Sequence, residues 1–181
     1  LAHLLPGHRL VVKEEDRRAV EGLWGLPEGR IRPTPGLTAV ELFKALAGGR
    51  VKSVWILCTN PMVSMPNLAL AHQALAKAEL VIVNDIYHPT ETTQLADVLL
   101  PAAQWSERDG TLTNSERCIS YVERAIDPPG EALPDWQILC RFAHAMGVGQ
   151  AFAFRATEEV YEEYKRLTAG QDLDVGGVTY E

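Results

Sequence analysis

Three places in the chain gather residue types suited to holding a polar ligand: Thr59-Asn60-Pro61, Asn84-Asp85, and the run from Pro101 to Arg108. A carboxylate such as Asp85 can accept paired hydrogen bonds from ribose hydroxyls or a guanine edge, and an arginine such as Arg108 can grip a phosphate. Together these groups suit a nucleotide. Neither GxGxxG nor GxxxxGK followed by Ser or Thr occurs, so the usual dinucleotide fingerprint and the P-loop are both absent. Each residue also has a plainer alternative. Asn60-Pro61 is a common turn starter, and Asp85 could cap a turn. Asp135 follows Pro134 and reads more simply as the N-cap of a helix. Arg108 could pair at the surface with Glu107 or Asp109, a contact worth little.

Other chemistries find no support. His3, His8 and His144 have no Ser, Cys or Asp partner at informative spacing, His72 reads as a surface or half-buried helix residue, and His88-Pro89 reads as a loop. Cys58, Cys118 and Cys140 are odd in number and far apart, with no metal-ligand spacing, and are expected to be buried thiols. No catalytic triad, metal cluster or paired-carboxylate site is assigned.

The elements that must position these residues follow from hydrophobic pattern and punctuation. Val51 to Asn60 is β-branched and aromatic and ends in an almost unbroken apolar run, which predicts a strand covered on both faces. A helix is expected from about Pro66, with Leu68, Ala71, Leu75 and Ala78 along one face, then a buried strand Leu80-Val81-Ile82-Val83. A short helix around Thr92 to Ala96 and a third apolar run, Val98-Leu99-Leu100, complete a strand-helix-strand-helix-strand order, the signature of a parallel sheet. Ligands of such sheets bind outside the carboxyl ends of the strands, where the candidate residues stand.

Flanking elements are also legible. Glu14 to Trp24 predicts a helix stopped by Gly25-Leu26-Pro27, with the Lys13 to Arg18 charge run on its solvated face. Residues 27 to 36 form a Pro- and Gly-rich loop, and Thr38 with Glu41 has capping-box spacing before a helix over Ala39 to Ala47. Thr111 to Ile126 suits an extended arm or hairpin, Asp135 to Met146 an amphipathic helix ended by Gly147, and Thr157 to Gly170 a final helix.

Composition sets the outer bounds. The chain has 181 residues, 46% apolar and 23% charged, enough to bury roughly 70% of its unfolded surface in a single domain. Seventeen Lys and Arg against 24 Asp and Glu give a net charge of −7, which disfavours a nucleic-acid surface. No stretch approaches the roughly 18 to 20 apolar residues of a membrane span, and no secretory signal opens the chain, so a cytoplasmic location is expected. Leu1 stands where a Met would begin a chain, and the closing Gly176 to Glu181 suggests a segment running into another element, as in a piece of a longer protein.

The ordered motifs resemble a known family. Trp55-Ile-Leu-Cys-Thr-Asn-Pro61 with Ser64-Met-Pro-Asn67, Asn84-Asp85 with Thr90-Glu-Thr92, and Ala96-Asp-Val-Leu-Leu-Pro-Ala-Ala103 are similar to the molybdopterin oxidoreductases that carry a bis(molybdopterin guanine dinucleotide) molybdenum centre. So are Trp105 to Thr111, Thr113-Asn-Ser-Glu-Arg117, and Pro128 to Ala132 with Asp135-Trp136. Leu4 to Arg9 and Leu167 to Asp174 look most like assimilatory nitrate reductases. The resemblance implies an α/β, Rossmann-like three-layer domain, with a mainly parallel sheet and helices on both faces, spanning residues 1–181 as one domain of a larger enzyme. It implies dinucleotide contacts at Asn60, Pro61, Asn84, Asp85, Arg108 and Asp135, with Asp85 on the guanosine portion and Arg108 where relatives also carry Lys. It further implies that the molybdenum ligand and a 4Fe-4S cluster belong to other parts of the parent, which would reduce nitrate to nitrite while residues 1–181 alone would not. The remaining domains of the parent and an electron donor would be the partners. A formate dehydrogenase and a cofactor-free scaffold in an electron-transfer complex are the competing expectations.

Overall fold

The computed structural model describes residues 3–180. In chain order its elements are α1 (Glu14–Leu23), α2 (Ala39–Ala47), β1 (Ser53–Leu57), α3 (Pro61–Ser64), α4 (Leu68–Lys77), β2 (Leu80–Asp85), β3 (Val98–Pro101), β4 (Gly110–Thr113), β5 (Ile119–Val122), α5 (Asp135–Ala145) and α6 (Thr157–Thr168), with single 3-10 turns between some of them. By internal contacts the chain divides into two compact units, residues 37–142 and residues 1–36 with 143–181.

In the 37–142 unit, β1, β2 and β3 form a parallel sheet in that order, with Trp55 opposite Ile82 and Ile82 opposite Val98. Because side chains alternate along a strand, Ile56, Val81 and Val83 share one face. There they meet Phe43 and Leu46 of α2 and Ala71, Ala74 and Leu75 of α4 in the hydrophobic core. The opposite face carries Trp55 and Asn84, which reach Phe142 and Asp135 of α5. Helices therefore lie on both faces of a parallel sheet. The expected buried strand Leu80 to Val83 is corrected at its first residue: Leu80 is 38% exposed, and Val98 at the start of β3 is 39% exposed.

Local signals explain the element ends. Thr38 and Glu41 form a complete capping box, with the Thr38 hydroxyl accepting from the Glu41 N–H and the Glu41 carboxylate accepting from the Thr38 N–H at 2.9 Å. Asn67 caps α4, its Oδ1 accepting from the Leu70 N–H at 2.9 Å. Pro61 occupies the first position of α3, where a missing N–H costs nothing. This one-turn helix is absent from the sequence reading, which starts the helix only at Pro66. The 111–126 arm resolves into an antiparallel hairpin of β4 and β5. Its turn is closed by Asn114 Oδ1, which accepts from the N–H groups of Glu116 and Cys118.

In the other unit α1 packs against α6. Gly7 adopts φ +72° in a turn where an added Cβ would lie 2.5 Å from the Leu167 carbonyl oxygen, so only glycine fits. Asp16 corrects the reading of Lys13 to Arg18 as a solvated face. It is 5% exposed and pairs with Arg9 at 3.1 Å while accepting from the Leu10 N–H at 2.8 Å. Burial of the carboxylate is tolerated because both partners replace its water. Glu21, also buried, organises the 27–36 loop by accepting from the N–H groups of Gly29 and Ile31.

Leu46 has no exposed surface in the centre of the core. Leu46→Ala is expected to destabilise the fold by about 2–5 kcal/mol through lost burial and the cavity left behind, read as a lower denaturant midpoint; a change under about 1 kcal/mol would place Leu46 outside the core.

Candidate functional site

Parallel strands end on the same side, and the loops leaving β1, β2 and β3 surround an open cleft of about 430 Å³ together with the start of α5. After β1 the lining is Cys58, Thr59 and Asn60; after β2 it is Asn84 to Tyr87 and Thr90. After β3 come Ala102 to Trp105 and Arg108, and α5 contributes Asp135. Five of the six sequence candidates, Asn60, Asn84, Asp85, Arg108 and Asp135, thus meet in one place. Pro61 does not line the cleft. It is buried at the head of α3, and its part is to turn the chain after Asn60.

The loop after β1 turns sharply, with Cys58 in the left-handed region at φ 57°. Asn60 is then locked at both ends. Its Nδ2 donates to Glu91 at 3.0 Å, and its Oδ1 accepts from the Thr92 hydroxyl at 2.6 Å. Thr92 is fully buried and also accepts from the Met62 N–H at 3.2 Å. The Asn60 amide holds the Glu91 carboxyl below its usual range. Asn60-Pro61 is therefore more than a bare turn. Its amide is fastened to the segment after β2.

Asp85 Oδ1 accepts from the Tyr87 N–H at 3.0 Å, and Oδ2 lies 3.5 Å from the Thr90 hydroxyl. The turn-cap alternative is thus part of its role, with the second oxygen only weakly engaged. Asp135 is not an N-cap. The Pro134 carbonyl accepts the first helical bonds, from the Gln137 and Ile138 N–H groups. Asp135 sits one residue inside α5, where the helix N-terminus favours its negative charge, and its oxygens meet Asn84 Nδ2 at 3.3 Å and the Cys58 thiol at 3.8 Å.

Arg108 makes neither of the surface pairs the sequence offered. Glu107 accepts from the Gln104 N–H and Nε2, and Asp109 accepts from the Arg124 N–H. Arg108 Nε is instead buried without a hydrogen-bond partner, beside the cleft shared by two carboxylates. An unpaired buried donor of this kind costs about 1–3 kcal/mol until something accepts from it.

Tyr87 escaped the sequence reading, whereas Trp105 stands within the Pro101 to Arg108 run; 67% and 62% exposed, both present aromatic surface to the cleft. Thr92 and Glu91, which do not line the cleft, hold Asn60 in place. A large aromatic residue left exposed beside polar loops is the only signal for Tyr87. The three cysteines are corrected: Cys58 and Cys118 are exposed and Cys140 is intermediate. Cys58 lies past the end of β1, outside the packed core that the apolar run suggested.

Partial burial, then the negative charge of Asp135, push the Cys58 thiol up from its ordinary pKa, while Arg108 opposes them. Asp135→Asn should lower that pKa and raise the thiolate fraction, so alkylation of Cys58 at pH 8 should quicken by about two- to fivefold. Mass spectrometry of iodoacetamide-treated protein measures it, and an unchanged rate would break the proposed coupling.

The family model for molybdopterin oxidoreductases matches residues 11–145. A nitrate reductase from Synechocystis sp. is 46% identical over 181 residues, all of this chain and 25% of the relative. An F420-dependent formate dehydrogenase 1 subunit alpha from Methanococcus maripaludis is 39% identical, again over the whole chain and 25% of the relative. Among solved structures, acetylene hydratase from Pelobacter acetylenicus superposes with a TM-score of 0.64 at 24% identity, covering 84% of this chain and 22% of that one, which supports the fold. The chain spans about a quarter of the length of the curated relatives it matches. The family match covers the sheet, the cleft and all six candidate residues, and this chain belongs to the molybdopterin oxidoreductase family.

Proposed function

We propose that the cleft holds a guanine dinucleotide arm of a bis(molybdopterin guanine dinucleotide) molybdenum centre. In this reading residues 1–181 act as one cofactor-holding domain of a nitrate reductase that converts nitrate to nitrite. The observation that carries it is Arg108: a guanidinium with a buried, unpartnered Nε in a cleft that also contains Asp85 and Asp135. A phosphate oxygen would satisfy that donor, and the carboxylates suit the hydroxyl and amino donors of guanosine. The donor set therefore fits the group.

The roles divide by chemistry. Arg108 takes the pyrophosphate, and Asp85, with one weakly engaged oxygen, takes ribose or base. Asp135 takes a second donor from the α5 side. Asn60 and Asn84 each keep one amide hydrogen beyond those already used, and Pro61 shapes the backbone after Asn60. The bound group supplies two-electron redox chemistry at molybdenum, and this chain's residues bind and orient it. A 4Fe-4S cluster, the molybdenum ligand and the electron-donor contact would lie in the remaining domains. No helix among the described residues is long and apolar enough to cross a membrane. The likeness to an assimilatory nitrate reductase supports a cytoplasmic parent in this reading.

A second reading, formate oxidation, is favoured by the formate dehydrogenase relative that matches the whole chain. Assay of the intact parent with both substrates separates them. Formate oxidation without nitrate reduction would overturn the substrate while leaving the cofactor site in place.

Asp85→Ala in the intact parent should lower bound molybdenum and guanine nucleotide by roughly tenfold, the scale of a hydrogen bond to a charged group, with the fold retained by circular dichroism. Full occupancy in that variant would remove Asp85 from the site.

A further inference from the structure

We propose that Trp55, which does not line the cleft, is a positioning residue for it, holding the Asn84 amide in the one orientation that lets Asp135 keep its place. The inference rests on the reading of the cleft as a nucleotide site.

An asparagine amide can ordinarily be turned over, because its oxygen and nitrogen have nearly the same shape. At Asn84 the choice is fixed from outside. The Trp55 indole Nε1 is a donor only, and it lies 2.8 Å from Asn84 Oδ1. The amide nitrogen is thereby left toward Asp135, 3.3 Å from Oδ1. Turning the amide over would set two donors against each other at Trp55 and two acceptors against each other at Asp135. Asn84 is 2% exposed, so water cannot substitute for either partner.

Trp55 is itself held. Its ring meets Phe142 edge-on at 4.8 Å and 70°, and Phe142 lies two helical turns along α5 from Asp135. The indole thus bridges β1 to β2 by a hydrogen bond and β1 to α5 by ring contact, closing a circuit through Asp135. Trp55→Phe takes away the indole N–H while keeping an aromatic ring at the position, so the Asn84 amide is held from the Asp135 side alone and is free to tilt away from the carboxylate.

The test is a double-mutant cycle in the intact cofactor-loaded parent, reading the rate at which guanine nucleotide is lost from the protein. Trp55→Phe should lose nucleotide about five- to tenfold faster, the effect of one hydrogen bond. In a protein already carrying Asp135→Asn, which itself loses nucleotide faster, Trp55→Phe should add nothing, since a neutral amide at that position pairs with Asn84 in either orientation. Additive effects would reduce Trp55 to packing and overturn the inference, as would an unchanged rate in Trp55→Phe when Asp135→Asn is impaired. An unchanged rate in Asp135→Asn would instead overturn the nucleotide reading at Asp135. If Trp55→Phe does not fold, Asn84→Asp tests the same link. Its carboxylate still accepts from the indole but repels Asp135, so nucleotide loss should be faster than in Asp135→Asn alone, and adding Asp135→Asn should slow it back to the rate of that single variant; no such slowing overturns the proposal.

Discussion

Everything at the cleft depends on the common direction of β1, β2 and β3. Parallel pairing forces each connection to cross back over a face of the sheet, so the carboxyl ends of all three strands open on one edge. Residues far apart in sequence, such as Asn60, Asn84 and Arg108, each 24 positions from the next, are thereby gathered without any local motif. The cost is that three irregular loops must be satisfied away from regular secondary structure. Side chains do that satisfying: Thr92 serves the Met62 N–H, Asp85 the Tyr87 N–H, and Glu107 the Gln104 N–H.

The cleft's polar groups are unequal as a result. Asn60 and Asn84 each spend one donor and one acceptor on neighbours, and Asp135 is braced by Asn84. Arg108 is the exception, with its Nε left unpaired. Rigid, internally paired groups around one unsatisfied cation describe a surface prepared for an anionic ligand, in which orientation is settled before binding.

Much of this was legible in the chain. Period and punctuation located the three strands, the capping box at Thr38 and the α5 helix, because each is written within a few residues. The strand ends then picked out Asn60, Asn84, Asp85 and Arg108, which the fold brings together, and the family resemblance added Asp135. What escaped was long-range side-chain pairing. Trp55 with Asn84 is separated by 29 positions, and Thr92 with Asn60 by 32, so no window of sequence contains both partners. Asp135 looked like a cap because Pro134 precedes it, yet the proline carbonyl takes the capping place and releases the carboxylate. Asp16 and Cys58 depart from the sequence pattern for a related reason: burial is decided by what packs against a residue, and Arg9 pairs with the first while the second lies exposed past the end of β1.

The buried hydroxyl of Thr92 has a kinetic consequence. It joins the loop after β1 to the loop after β2 through Asn60 and the Met62 N–H, with Glu91 adding a second tie. Neither loop can swing out alone without exposing a desolvated donor or acceptor. The two should therefore open as one cooperative unit, and their backbone amides should exchange with solvent at a shared rate. A bulky ligand threading into the cleft would then meet a single concerted barrier in place of two small independent ones, and once seated it would leave by the same slow route.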